Sequence, residues 1–404
     1  MHFRAHPGSA LAVLTILNFL NFIDRSILFQ VQPLIQAEFH VSKMQIGLLT
    51  TSFMLCFIVA APVLGALADR YPRRPIIVVG AVVWSVATLL TAATWNFWTL
   101  LIRHAIVGIG EACMVAAPGY VADLFPQNRR GRMLAVLFTA APAGTAIGYL
   151  IGGFFGHYYG WRAPFYIVAV PGVLAAVLLF LTREPQRGAQ DHLGYTLEEG
   201  TIRGLRRNGA YVSATLGLAM VTFALGGAQV WMPDFLVSVH GLTLLGAAEF
   251  IATIAIVNGI GATLIGGWLT DRVRRRRRDA DYTVPAAAMV IAVPLTILAV
   301  SISRPAMFPA VFIAHFFLTI TIAPLGVAIV QSVGPQLRST AFAIQAVAVH
   351  LLGDAASAPV IGYIADRTGS LRYGFFAVAA AVGVGSLILF RGKQHISQSR
   401  LRSA

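Results

Sequence analysis

The sequence predicts an all-α membrane protein with twelve transmembrane helices in two pseudo-symmetric six-helix bundles. Three observations predict this fold: the composition, the alternation of long apolar segments with polar turns, and a charged motif that occurs twice. Apolar residues make up 57% of the 404 residues and charged residues only 11%, against roughly 25% charged in an average soluble domain. A soluble chain of this composition would expose large apolar patches, so a soluble globular protein is excluded.

Twelve apolar segments are long enough to cross a bilayer core, which takes about 20 helical residues. The predicted spans are 9–34, 45–68, 75–94, 97–122, 131–156, 163–182, 209–236, 246–270, 283–303, 308–332, 338–364 and 371–391. The predicted domains are an N-terminal bundle at 1–183, a cytoplasmic linker at 184–208, a C-terminal bundle at 209–391 and a cytoplasmic tail at 392–404.

A charged turn recurs at half the length of the chain. Residues 65–74 read GALADRYPRR, and residues 267–276, 202 positions later, read GWLTDRVRRR. Both fit the pattern G-x-L-x-D-R-x-x-R-R. A second pair of turns, at 126–129 and 335–338, shares a proline followed three residues later by an arginine. Charged turns repeated in this way indicate a duplicated helical membrane bundle.

The basic residues predict the orientation of the chain. The net charge of +14 could suggest a nucleic-acid partner, but its placement does not. Of the 30 Lys and Arg residues, 23 fall on the side of the two termini and 5 on the other, with Arg25 and Arg103 inside spans. This asymmetry predicts cytoplasmic termini. The first segment carries Asp24 and is too long for a signal peptide, so we expect a multi-pass protein of the bacterial inner membrane.

The first span is unusually polar and supplies the first candidate site. It contains Asp24 and Arg25, and a charge at mid-bilayer costs at least ~2.5–3.5 kcal/mol. Both side chains are therefore expected to face protein or water. One interpretation is a structural ion pair. The other, which we favour, is a cavity-facing pair that titrates or contacts substrate.

The fourth span supplies the second candidate site. Arg103 and His104 precede Glu111 by eight and seven positions, so two helical turns bring all three near one face. Glu111 lies about halfway across the membrane and is a candidate proton carrier. The alternative is a protonated, hydrogen-bonded core glutamate.

The C-terminal half is less charged inside its spans. A lone histidine in a helix is more often a packing residue than a ligand, and His350 with Asp354 could form a hydrogen bond within one helix. Metal-ligand spacings, phosphate-binding glycine loops and nucleophile motifs are absent, so we expect no metal, cofactor or enzymatic activity. The candidate substrate-cavity residues are Asp24, Arg25, Arg103, Glu111, Gln229, Trp231, His315 and Asp354.

The repeated turns are predicted to act as a conformational latch rather than as stop signals alone, because the aspartate recurs together with the arginines. The run of five arginines at 274–278 is expected to strengthen orientation, with binding of anionic lipid headgroups as the second interpretation. The predicted latch residues are Gly65, Asp69, Arg70, Arg73, Arg74, Asp123, Arg129, Asp271 and Arg272.

Two six-helix halves with matched charged turns resemble the major facilitator superfamily. Several stretches are similar to Spinster-type transporters of the bacterial type. They are Asn21-Phe-Ile-Asp-Arg25, Phe97-Trp98 through Gly108-Ile-Gly-Glu-Ala112, Ala122-Asp-Leu-Phe-Pro126 with Arg129-Arg130, Gly160-Trp-Arg162 and Arg183-Glu-Pro185. One departure matters, because relatives of this kind carry arginine seven residues before the glutamate, where this chain has His104. Either Arg103 turns inward instead, or a titratable imidazole replaces the fixed charge.

The resemblance implies alternating access, in which the halves rock around a central site while the charged turns lock the outward-open state. It also implies an amphiphilic lipid substrate of the lysophospholipid or sphingolipid class. Proton coupling through Asp24, Glu111 and His104 is the hypothesis, with a monomer as the expected state. Two alternatives stay open: a multidrug or organic-anion carrier of the same fold, and a membrane lipid sensor that binds without transporting.

Overall fold

The computed structural model describes residues 7–186, 202–333 and 338–401, and all regular structure within them is helical. Twelve helices in these ranges are long and apolar enough to cross a membrane. The predicted fold class and number of spans are therefore confirmed. Pro335, the side chain of Arg338 and most of the predicted linker lie outside the described residues.

Six spanning helices precede residue 186. The helix α4 is composite, because a 3₁₀ segment, Ala112–Ala116, separates its two α-helical parts. The bounds are α1 Pro7–Phe39, α2 Lys43–Arg70, α3 Arg73–Ala92, α4 Phe97–Leu124, α5 Gln127–Tyr159 and α6 Ala163–Phe180.

A short helix, Ile202–Arg207, precedes the six spanning helices of the second half. Three of these helices contain π-helical segments, at Phe235–Val239, Val257–Ala262 and His350–Asp354. The bounds are α7 Gly209–Val239, α8 Leu244–Arg274, α9 Ala280–Ser301, α10 Met307–Ser332, α11 Ala341–Thr368 and α12 Leu371–Leu401.

The ends of these helices follow from local sequence. Asn96 caps α4, because its side-chain oxygen accepts a hydrogen bond of 2.9 Å from the backbone amide of Thr99. Gly160 ends α5 with a φ of 82°, and Gly369 ends α11 with a φ of 75°, a left-handed conformation that favours glycine. Pro33 does not end α1, which continues to Phe39.

The chain divides into two compact units. The first unit contains residues 1–41, 48–195 and 242–255. Within it α1 and α5 approach closely through glycines of α5. A Cβ at Gly144 would lie 2.5 Å from the carbonyl oxygen of Phe19, and a Cβ at Gly148 would lie 2.6 Å from that of Ile23. Small residues at such contacts bring helix backbones together, which holds the polar part of α1 in the interior.

The second unit contains residues 42–47, 196–241 and 256–404. The first turn of α2 belongs to it and packs against α11. A Cβ at Gly47 would lie 2.6 Å from the backbone of Ala358, and a Cβ at Gly362 would lie 2.6 Å from the carbonyl oxygen of Lys43. Glycine at both positions permits this contact.

Candidate functional site

The polar residues of α1 are buried. Asn18, Asn21 and Asp24 are spaced by three positions, so they share one side of the helix, and each is less than 9% exposed. The Asn18 amide donates a hydrogen bond of 3.0 Å to the carbonyl oxygen of Leu137 on α5. The polar stripe of the sequence therefore faces protein.

Arg25 and Glu111 form an ion pair between α1 and α4. The guanidinium Nε donates to Oε2 of Glu111 at 2.6 Å, and the Glu111 side chain is fully buried. Three aromatic rings surround the guanidinium, whose carbon lies 4.8 Å from the ring centroid of Phe53, 5.4 Å from that of Phe57 and 5.6 Å from that of Phe22. Cation–π contact adds to the ion pair here.

Asp24 lies beside this pair and forms no ion pair of its own within the described residues. Its Oδ2 accepts a hydrogen bond of 3.1 Å from the hydroxyl of Thr88 on α3. Among the described atoms, Oδ1 of Asp24 and Oε1 of Glu111 are buried and lack hydrogen-bond partners. With both carboxylates ionised, Asp24, Arg25 and Glu111 carry a net charge of −1, and one added proton makes the group neutral. This arrangement can therefore bind and release a proton.

The structure separates the two candidates for the basic residue of α4. His104 is buried, and its ring stacks on Phe53 with centroids 5.2 Å apart. Arg103 instead donates to the carbonyl oxygen of Leu90, and its guanidinium carbon lies 4.9 Å from the ring centroid of Trp95. His104 thus lies next to the Arg25 cluster through Phe53, whereas Arg103 lies apart from it.

The first charged turn brings together two of the predicted latch residues in particular. Arg73 forms an ion pair with the buried Asp123 of α4 and donates a hydrogen bond of 3.1 Å to the carbonyl oxygen of Gly119. Asp69 is 80% exposed and lies 3.9 Å from Arg73. Of the other predicted latch residues of this half, Gly65 is partly exposed, and Arg70 and Arg129, the latter in the turn at 126–129, are exposed.

Glu184 was missed as a site residue, although the motif Arg183-Glu-Pro185 contains it. Its two carboxylate oxygens accept hydrogen bonds of 2.9 Å and 3.0 Å from the backbone amides of Arg73 and Arg74. These amides open α3, so Glu184 satisfies two of the donors that a helix N-terminus leaves free. Arg74 also donates to the carbonyl oxygens of Phe180 and Thr182. The end of α6 is thereby tied to the start of α3.

The second charged turn uses a different arginine. Arg274 pairs with Asp271, at 2.5 Å, and with Asp281. Arg274 occupies the eighth position of the motif, where the first copy has Pro72. Arg272 lies over the ring of Trp268, 5.8 Å from its centroid. The two copies share a sequence pattern but differ in their ion pairs.

The C-terminal candidates are not brought into one cluster. Gln229 is exposed, whereas Trp231 is fully buried and donates a hydrogen bond of 2.8 Å to the carbonyl oxygen of Ala358. His315 is part-buried, and its Nδ1 lies 3.3 Å from the Asn258 amide and 3.1 Å from the Thr319 hydroxyl.

Asp354 pairs with His350 on the π-helical segment of α11. The His350 Nδ1 lies 2.7 Å from Oδ2 of Asp354. A Cβ at Gly226 would lie 2.4 Å from Oδ1 of Asp354, so a glycine on α7 makes room for this carboxylate. A π-helical segment in a spanning helix often marks a functional site.

Lys43 and Asp234 form a further pair that sequence reasoning missed. The Lys43 ammonium bonds the buried Asp234 carboxylate and lies 5.9 Å from the ring centroid of Trp231. The backbone amides of Lys43 and Met44 donate hydrogen bonds of 2.9 Å and 2.8 Å to Asp366. Lys43 precedes the predicted span 45–68, where a charge is easily read as an exposed loop residue, although in the structure it is the first residue of α2. Asp234 lies near the end of α7. Among the described residues, no group of three His, Cys, Asp or Glu side chains could hold a metal.

Comparison with known proteins agrees with this architecture. The sequence profile of the Major Facilitator Superfamily matches residues 14–353. Protein spinster homolog 1 of Bos taurus is 34% identical over 390 residues, which cover 90% of this chain and 74% of that protein. The sphingosine-1-phosphate transporter SPNS2 of Danio rerio is 32% identical over 387 residues, covering 89% of this chain and 76% of that protein.

A solved structure is also similar. It is the crystal structure of a bacterial homolog to the human lysosomal transporter Spinster, in an inward-facing and unoccupied conformation. It superposes with a TM-score of 0.88 and 25% identity, covering 97% of this chain and 98% of that chain. The profile match and the similarity to Spinster proteins over most of both chains agree on one family. The chain therefore belongs to the Major Facilitator Superfamily and, within it, to the Spinster-type transporters.

Proposed function

We propose that this protein is a secondary active transporter that moves an amphiphilic lipid of the lysophospholipid or sphingolipid class by alternating access, driven by protons. The observation that carries the proposal is the buried group of Asp24, Arg25 and Glu111. Charged residues in a membrane span are costly, and they commonly mark proton or substrate pathways.

In the proposed mechanism, Asp24 and Glu111 carry the transported proton, and Arg25 keeps the group close to neutral. A proton on either carboxylate removes the net charge of −1, so the protonated group can lose contact with water at lower cost. His104 is the further titratable group of this site, next to Phe53. A pH gradient of one unit supplies about 1.4 kcal/mol per proton, and the membrane potential supplies about 2.3 kcal/mol per charge per 100 mV.

A lipid substrate is supported by similarity to a sphingosine-1-phosphate transporter. Such a lipid has a phosphate and an apolar chain. Arg25 offers the phosphate a guanidinium with aromatic surroundings. We propose Arg103, Gln229, Trp231, His315 and Asp354 as further substrate contacts.

The proposed cellular arrangement follows from the basic residues. The excess of Lys and Arg on the side of the termini supports cytoplasmic termini in a bacterial inner membrane. The proposed moving parts are the bundles 1–183 and 209–391, joined by the linker 184–208, in a monomer. The pairs of Arg73 with Asp123 and of Arg274 with Asp281 are the proposed latch contacts.

The experiment uses proteoliposomes with an imposed pH gradient and labelled lysophosphatidylcholine or sphingosine-1-phosphate. We expect gradient-driven flux in the wild type and loss of the gradient-driven part in Glu111→Gln. The matched control is Glu249→Gln, the same substitution at an exposed position of α8, which should keep wild-type flux.

Each of the other possible results of this experiment would indicate a different function. Wild-type flux that ignores the gradient would remove the proton role and leave a facilitator. Flux of organic anions or drugs but neither lipid would establish the multidrug or anion carrier. Lipid binding without flux would establish the sensor.

A further inference from the structure

The two copies of the charged turn differ in how many of their arginines face carboxylates. In the first copy the last two motif positions are Arg73 and Arg74. Arg73 pairs with Asp123, and Arg74 lies 3.7 Å from Glu184. The positive charge at these two positions is therefore neutralised within the protein.

In the second copy the same motif positions are Arg275 and Arg276, and both are exposed. Neither forms an ion pair within the described part of the chain, and the same holds for the exposed Arg278. The nearby carboxylates form ion pairs with other arginines. Asp271 and Asp281 pair with Arg274, as described above, and the Asp279 carboxylate pairs with another member of the run.

That remaining pair is Arg277 with Asp279, at 3.2 Å. Burial raises the pKa of Asp279, but hydrogen bonds from Thr283 and Arg277 outweigh it and leave the pKa below its ordinary value. Asp279 is thus charged at neutral pH. Counting six arginines at 272–278 against Asp271, Asp279 and Asp281 leaves a net charge of +3 on the turn.

The position of the turn relative to the membrane is set by the helices around it. The α8 span ends at Arg274, and the next span begins at Ala280. Trp268 lies less than two turns before the end of α8, is 61% exposed and sits under Arg272. Tryptophan is enriched at the membrane interface, so the exposed arginines lie at the level of the lipid headgroups.

We propose that Arg272, Arg275, Arg276 and Arg278 form a binding surface for the phosphate headgroups of anionic phospholipids, with Trp268 against the upper acyl chains. The surface is distinct from the Asp24 and Glu111 site and goes beyond the transported substrate. Clustered arginines next to a span attract anionic lipid, and guanidinium groups bind phosphate through paired N–H donors. In the first copy Arg73 and Arg74 are paired internally and Arg70 alone of its three arginines is exposed, so that copy does not offer such a surface.

The test is quenching of Trp268 by brominated lipids in reconstituted bilayers. The signal of Trp268 is isolated as the difference between the wild type and Trp268→Phe. We expect dibrominated phosphatidylglycerol to quench it at lower mole fraction than dibrominated phosphatidylcholine, and salt to weaken the preference. Loss of one arginine should lower this preference for phosphatidylglycerol over phosphatidylcholine roughly fivefold, and loss of two arginines should lower it roughly 25-fold.

The double variant Arg275→Gln/Arg276→Gln is compared with Arg206→Gln/Arg207→Gln, which removes the same charge from exposed positions of the short helix. Only the first should lose the preference for phosphatidylglycerol. Equal quenching by the two lipids in the wild type, or equal loss in both double variants, would overturn the proposal. The wild-type comparison does not depend on the arginine variants being folded.

Discussion

Arg25 and Glu111 are 86 positions apart in the chain, yet a single hydrogen bond of 2.6 Å joins Nε of the first to Oε2 of the second. The pair links α1 to α4 in the interior. Because Glu111 is fully buried and Arg25 is 19% exposed, neither charge has bulk water as a substitute partner. The stability of the first unit therefore depends on the two residues together.

We predict that Arg25→Met destabilises the protein by about 3–5 kcal/mol, because removal of one partner leaves a buried charge uncompensated. Adding Glu111→Gln to that variant should recover most of the lost stability, since no charge then remains on either partner. Unfolding of the two single variants and the double variant in one detergent measures the coupling. If the stability loss of the double variant equals the sum of the losses of the two single variants, the pair does not stabilise the fold in this way.

The cap formed by Glu184 leads to a second prediction. Glu184→Ala should destabilise the protein by about 0.5–2 kcal/mol, because two backbone amides of α3 lose their acceptor. Glu184→Gln should lose less, since its amide oxygen can still accept one of them. Unfolding measurements check this, with the exposed Glu249→Ala as control. An equal effect of Glu184→Ala and Glu249→Ala would contradict the capping role.

His240 leads to a prediction about pH. It lies between the α7 and α8 spans, and its ring packs edge-on against Phe235 with centroids 4.8 Å apart. Burial lowers the pKa of His240 from its ordinary value of 6.5, and the charges of Arg372 and Arg304 lower it further. Below pH 6.5 the unfolded chain therefore binds a proton that the folded chain does not, and stability falls until the folded-state pKa is passed.

Replacement of His240 by glutamine should reduce the loss of Tm on acidification from pH 7 to pH 5. The contribution of His240 is the difference in this loss of Tm between the variant and the wild type, because other groups titrate in both proteins. His157→Gln, at an exposed position, is the control and should keep the wild-type slope. An unchanged slope in His240→Gln would show that its protonation is not linked to folding.

The placement of Arg103 gives a prediction about transport. Arg103→Gln should leave the dependence of flux on the pH gradient unchanged, because the side chain contacts Leu90 and Trp95 rather than Glu111. Arg25→Gln should lose it, because Glu111 then lacks its counterion. The measurement is the same proteoliposome assay. Loss of coupling in Arg103→Gln alone would assign the coupling arginine to position 103.

Gly226 gives a prediction about packing. An alanine there would place its Cβ 2.4 Å from Oδ1 of Asp354, so the pair with His350 must shift. Overpacking of this kind costs about 1–3 kcal/mol. Gly326→Ala is the control, because no atom lies within 4 Å of a Cβ there, and it should be neutral or stabilising. Thermal unfolding of the two variants separates the contact from the general effect of replacing glycine.

The sequence was sufficient to predict the spans, because a run of about 20 apolar residues has few alternatives to a transmembrane helix. It was not sufficient to predict the partners of the charged side chains within them. Arg103 and His104 differ by one position, about 100° around a helix, and only packing against Phe53 and Trp95 separates them. The partner of Glu111 lies on another helix, and no local pattern encodes a contact 86 positions away.

The repeated turns show a similar limit. The motif predicted equivalent roles for its two copies, yet the ion-paired arginine of the second copy is Arg274, at a position where the first copy has Pro72. The acidic partners differ as well, because Asp123 belongs to α4 whereas Asp281 begins α9. A sequence repeat preserves the backbone turn, while the choice of partner depends on where a carboxylate comes within reach.

The 3₁₀ segment of α4 changes the phase of that helix. Each of its five residues, Ala112–Ala116, turns the chain by about 120° instead of about 100°, and rises by about 2.0 Å instead of about 1.5 Å. Over the segment this adds a rotation of about 100° and a length of about 2.5 Å. A helical wheel drawn through α4 therefore places Asp123 more than a quarter turn away from its actual direction relative to Glu111. Deleting one residue within this segment would remove that offset and inserting one would double it, and either change would turn Asp123 away from Arg73 while leaving Glu111 in place.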